Sequence, residues 1–170
     1  MMPRTLFKSL AALAVLTTAS LTATVPAAAN NAEPDRPLIN EAAPEMIREL
    51  ARGYGTAQAT KDNVGDPMIK GKANSLAYSI FFYDCQKGAN CTSVQFQAAF
   101  DIGKKVKIEI INDWNIKKRF AKAERNDKGN GVLRMDYSLN GGATREHIDN
   151  AMDMWFMQLK DFAAHIGFRE

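Results

Sequence analysis

From Ile148 to Ile166 the large apolar residues fall at Ile148, Met152, Trp155, Leu159, Phe162 and Ile166, at spacings of four, three, four, three and four. That recurrence draws one unbroken apolar stripe along five turns of α-helix. A stripe carrying Trp155 and Phe162 needs another apolar element to cover it. Thr144 is placed to cap the first turn, and Glu146 suits the positive end of the helix dipole. Gly141-Gly142 releases the chain into the helix.

The covering element is legible upstream as strands. Between Ser75 and Asp84, residues Leu76, Tyr78, Ile80 and Phe82 share one face, while Phe81 and Tyr83 make the other face apolar towards its end. Between Thr92 and Asp101, Val94, Phe96, Ala98 and Phe100 alternate with Ser93, Gln95 and Gln97. The pair predicts a hairpin with one dry and one largely wet face. A weak strand is expected over Tyr54 to Gly65, then a turn at Asp66-Pro67 and a short strand at Met68-Ile69. Arg119 to Glu124 and Gly131 to Ser138 read as two more strands, joined by turn chemistry over Asn126 to Gly131.

Two further helices are expected. The first has Pro44 in its opening turn, Met46, Ile47, Leu50 and Ala51 on one face, and Gly53 as its stop. The second begins at Lys105 or Val106 and sets Ile108, Ile111 and Asn115 along one stripe, with Ile110 and Trp114 beside it. The order is α-β-β-β-α-β-β-α. Helices before, between and after strands predict an α+β domain, an antiparallel sheet flanked by helices.

The N-terminus reads as a secretion signal over residues 1–29. Arg4 and Lys8 precede an apolar run from Leu10 to Leu21, and Pro26 precedes the small residues Ala27-Ala28-Ala29. Cleavage near Ala29 would leave a flexible segment over residues 30–40 and a domain over residues 41–170, periplasmic or secreted. Loss of Arg4 and Lys8 leaves 20 basic against 19 acidic side chains, a net charge of +1. A nearly neutral domain has no electrostatic basis for holding nucleic acid, which depends on many phosphate contacts. Cys85 and Cys91 are the only cysteines. An even count in an exported chain predicts a disulfide between them, closing a tight turn that contains Gly88 and Asn90.

No catalytic constellation is visible. His147 and His165 lie 18 residues apart in the last helix, about 27 Å at the helical rise, too far to share a metal or a dyad. No cofactor or metal is expected. The block Ile111 to Phe120 concentrates Asn112, Trp114, Asn115 and Arg119, residues suited to a polar-aromatic binding site or to capping neighbouring backbone. Around it, Lys104, Lys105, Lys107, Lys117, Lys118 and Lys122 read as a solvated basic face rather than a membrane contact. Met154, Trp155 and Phe156 extend the last helix beyond its main stripe, which suggests a second buried surface, a homodimer or partner interface.

Several of these elements resemble the YbjN family of bacterial proteins: Gly65-Asp66-Pro67, Phe82-Tyr83-Asp84-Cys85, Asn112-Asp113-Trp114-Asn115 with Arg119-Phe120, Met135-Asp136, Leu139-Asn140-Gly141-Gly142 and Asp153-Met154-Trp155. The resemblance spans roughly Glu41 to Gly167. It implies a fold similar to type III secretion chaperones, which bind extended segments of other proteins and are frequently dimeric. It also implies a role as a sensory transduction regulator, and it supplies no catalytic residues. The resulting expectation is a non-enzymatic binding module for a protein segment. The alternative is a small-ligand sensor using the Asn-Trp-Asn region.

Overall fold

The computed structural model describes residues 37–169. Its elements are α1 (Pro44–Arg52), β1 (Thr56–Lys61), β2 (Pro67–Ala73), β3 (Leu76–Tyr83), β4 (Ser93–Phe100), α2 (Ile108–Lys117), β5 (Lys122–Arg125), β6 (Gly131–Ser138) and α3 (Arg145–His165). The six strands form one sheet in the order β1-β2-β3-β4-β6-β5, antiparallel at every pairing. The domain is therefore α+β, with the helices falling before, between and after the strands.

Strand alternation decides which face the helices cover. Leu76, Tyr78, Ile80 and Phe82 of β3 lie in register beside Val94, Phe96, Ala98 and Phe100 of β4, and beside Leu133 and Met135 of β6. All of these belong to the core, together with Ile47 of α1, Trp114 of α2 and the α3 stripe. Every expected stripe residue of α3 is buried, from Ile148 through Ile166. Thr144 accepts the His147 N–H at its Oγ1, closing the first turn as its position suggested. Phe96 stacks on Trp155, and Phe162 meets Phe100 and Trp114 edge-on.

Gly71 on β2 marks a close approach. The Tyr78 ring crosses this position to donate from its hydroxyl to the Thr56 carbonyl at 3.0 Å. A Cβ at position 71 would come within 2.6 Å of that ring. Burial pushes the Tyr78 hydroxyl up to about 12.

Cys85 and Cys91 form a disulfide across the turn between β3 and β4. The Cys91 carbonyl accepts from Ala42 N–H at 2.7 Å, which ties this turn to the segment entering α1. A disulfide here suits an oxidising compartment. The secretion signal expected over residues 1–29 lies outside the described residues, as does most of the segment 30–40. The end of that segment is attached to the domain: Ile39 exchanges two backbone hydrogen bonds with Ala143, at 2.8 and 3.0 Å.

Candidate functional site

The Asn-Trp-Asn block is occupied with the chain's own backbone. Trp114 is fully buried, and its Nε1–H donates to the Ala121 carbonyl at 3.0 Å. Asn115 Nδ2 donates to the Ala123 carbonyl at 3.0 Å, and its Oδ1 accepts the Ala123 N–H at 2.8 Å. These bonds hold β5, the outermost strand, against α2. Asn112 is exposed, and Arg119 is exposed with its guanidinium 5.2 Å from the Phe120 ring. The four residues therefore do not converge: Trp114 is buried, Asn115 is exposed with its amide tied to Ala123, and Asn112 and Arg119 face solvent. None of them lines either of two depressions on the sheet.

Trp155, expected at a partner interface with Met154 and Phe156, lies in the domain's own core. Met154 and Phe156 are half-buried against that core. Phe156 stacks on Tyr54 at 4.3 Å between ring centroids and meets Tyr78 edge-on at 5.1 Å. Part of the second apolar surface of α3 is covered inside the molecule, because α1 and the turn after it fold over that flank. Tyr54 also donates to Asp153. Burial first, then this bond and the negative charge of Asp153, raise the Tyr54 hydroxyl well above its ordinary value.

Lys117 pairs with Asp113, Lys118 with Asp161 and Lys122 with Asp136, so much of the expected basic face is neutralised. His165 Nε2 lies 2.9 Å from the Ile110 carbonyl, and its ring packs edge-on to Trp114. His147 sits by Tyr137 at the other end of α3. Among the described residues, no group of three or more His, Cys, Asp or Glu is placed to hold a metal ion.

The surface with binding character is the other face of the sheet. No described helix packs on it. Register aligns its side chains into rows that cross the strands, with Thr60, Met68, Phe81, Gln95 and Asp136 in one row. The next row holds Gln58, Lys70, Ser79, Gln97, Arg134 and Lys122. A shallow depression of about 580 Å³ lies over Tyr83, Ser93, Gln95, Arg134 and Asp136. A smaller one of about 250 Å³ lies between Lys70 and Lys72, floored by Ala77, Ser79 and Ala99.

This face mixes apolar surface with polar groups that lack partners. Met68 and Val132 are buried yet stand outside the helix-covered core. Tyr83 is 44% exposed. Gln95 is 91% buried, and its Nε2 donates to Asp136 at 2.6 Å. The Gln95 Oε1 and Arg134 Nε atoms have no hydrogen-bond partner among the described residues, although Arg134 pairs with Glu124 at 2.8 Å through its Nη2. Buried polar atoms without partners are few in native domains, and here two lie on one uncovered face. The sequence marked this face as largely wet, turning apolar towards the end of β3, without assigning it a role. The available signal was Phe81 and Tyr83, apolar side chains on the side opposite the core.

Family comparison fits a binding or regulatory domain. The family model named YbjN, described as "Putative bacterial sensory transduction regulator", matches residues 43–168. The chain belongs to the YbjN family. No curated protein matches the sequence at a significant level. The matched span begins one residue before α1 and ends after α3, so the YbjN unit is the whole α+β domain, including both faces of its sheet. The YbjN description names a regulator and no reaction.

Proposed function

We propose that this chain is an exported, non-enzymatic YbjN-type module that takes an extended segment of another protein across the outer face of its sheet. The observation that carries the reading is the one-sided covering: all three helices lie on the core face, and none of the described residues packs as a helix on the other. A segment laid across Phe81 and Tyr83 would cover apolar side chains. The Arg134 side chain, 32% exposed, offers guanidinium donors to the segment's backbone carbonyls. The shape is shallow, which suits an extended chain better than an enclosed small molecule. The Cys85–Cys91 disulfide supports a periplasmic or secreted setting, and the N-terminal pattern supports delivery by a cleaved signal.

Selection from a library of displayed peptides against the oxidised domain tests this. Bound peptides should lose at least tenfold in affinity to Phe81→Asp with Tyr83→Asp, which place charge on the face without touching the core. Affinity unchanged by that pair of substitutions would remove the reading.

A further inference from the structure

The two edges of the sheet are treated oppositely. At one end β5 is only four residues long, and Asn115 closes the N–H and C=O of Ala123. At the other end β1 runs for six residues, Thr56 to Lys61, with all but Ala57 exposed. Its pairing partner is β2 on one side; on the other side no described strand pairs with it, and of its carbonyls only that of Thr56 accepts a side-chain bond among the described residues, from the Tyr78 hydroxyl. A long exposed edge normally carries a guard, such as a proline, an inward charge or a bulge, because its free backbone groups template pairing. Positions 56 to 60 hold no charge and no proline.

Their order is the second observation. Thr56-Ala57-Gln58-Ala59-Thr60 reads the same in both directions. We infer that β1 joins two copies of this chain, edge to edge and antiparallel, about a twofold axis at Gln58. In that register Gln58 faces its own copy, Ala57 faces Ala59, and Thr56 faces Thr60. Twofold contacts demand such self-complementarity. The rows match: Thr56, Gln58 and Thr60 lie on the outer face, where Thr pairs and amide side chains support cross-strand contact. Ala57 and Ala59 lie on the helix face, where small side chains leave room. Lys61, the nearest charge, falls opposite Gly55 rather than opposite its own copy.

The product is a continuous twelve-stranded sheet that places the two uncovered faces side by side. Its contact is mostly a backbone ladder, smaller than the roughly 1,200–2,000 Å² of a standard interface, so the dimer forms in a concentration-dependent way. This inference is independent of what docks on the outer face.

Sedimentation velocity on the full chain with its disulfide intact tests it. The unmodified chain should shift from monomer to dimer as concentration rises. Gln58→Lys and Gln58→Glu, at one exposed position and so leaving the monomer's melting unchanged, should each abolish the dimer by setting like charges opposite one another. An equimolar mixture of the two variants should restore it. An unmodified chain that stays monomeric throughout, or a dimer that Gln58→Lys leaves intact, would overturn the assignment.

Discussion

The side-chain amide of Asn115 occupies both backbone groups of Ala123, donating to the carbonyl at 3.0 Å and accepting from the N–H at 2.8 Å. One side chain thereby does on the outer flank of β5 what a neighbouring strand would do. Trp114, one residue earlier, donates to Ala121 at 3.0 Å. Helix α2 and the edge strand are therefore fastened at two adjacent points.

Asn115→Ala should lower stability without altering binding. It strips the N–H and C=O of Ala123, a residue only 6% exposed, of both partners. Unsatisfied buried groups cost about 1–3 kcal/mol each, and partial hydration at the edge keeps the total near the lower end of that range. Urea denaturation should show a reduced midpoint at unchanged slope, while affinity for a selected peptide stays at its original value.

Phe162→Ala should be far more costly. The Phe162 ring is fully buried and meets Trp114 at 5.0 Å and Phe100 at 5.8 Å. Removing it opens a cavity where α2, α3 and the sheet converge, at about 3–5 kcal/mol. The expected readout is a variant that is marginally folded at room temperature by circular dichroism.

How far these contacts could be read from the residues varies with their range. The α3 stripe, its Thr144 cap and the β3–β4 hairpin were legible, because each rests on periodicity within one element. The Cys pair was legible from its even count and from the turn residues Gly88 and Asn90 between the two. The destination of Asn115 was not, since a backbone acceptor eight residues ahead leaves no mark in the residue types. Met154 and Phe156 looked available for a partner because helical spacing shows only that they leave the main stripe. That Tyr54 and Tyr78 would cover Phe156 depends on α1 folding back across the sheet. The outer face was legible as largely wet with Phe81 and Tyr83 apolar towards its end; that no described helix covers it was not, because alternation distinguishes two faces without saying on which the helices pack.

Reduction of Cys85–Cys91 should destabilise modestly. The bridge closes a loop of only five intervening residues, which limits the chain-entropy contribution to about 2 kcal/mol. Cys91 is itself buried, so Cys85→Ser together with Cys91→Ser should cost slightly more than reduction alone. Paired urea melts of the oxidised, reduced and substituted chains check the order.

Stability should fall in strong alkali through Tyr78. Its folded-state value of about 12 lies above the ordinary 10.0 of an unfolded tyrosine. The folded state therefore holds the proton more tightly. This contribution is complete below pH ~10 and is lost as pH rises from there through about 12. Tyr54, raised in the same direction, adds to the decline. Tyr78→Phe should flatten the pH dependence of the melting temperature in that window, while lowering stability at neutral pH because the Thr56 carbonyl loses its donor.

Mapping by backbone amide shifts offers the most direct test of the uncovered face as the docking surface. An isotope-labelled domain would be titrated with a peptide selected against it. The account predicts perturbations concentrated on Phe81, Tyr83, Gln95 and Arg134, with the core-facing residues of the same strands little affected. Shifts clustered instead around Asn112, Trp114 and Arg119, or along the exposed flank of α3, would contradict it.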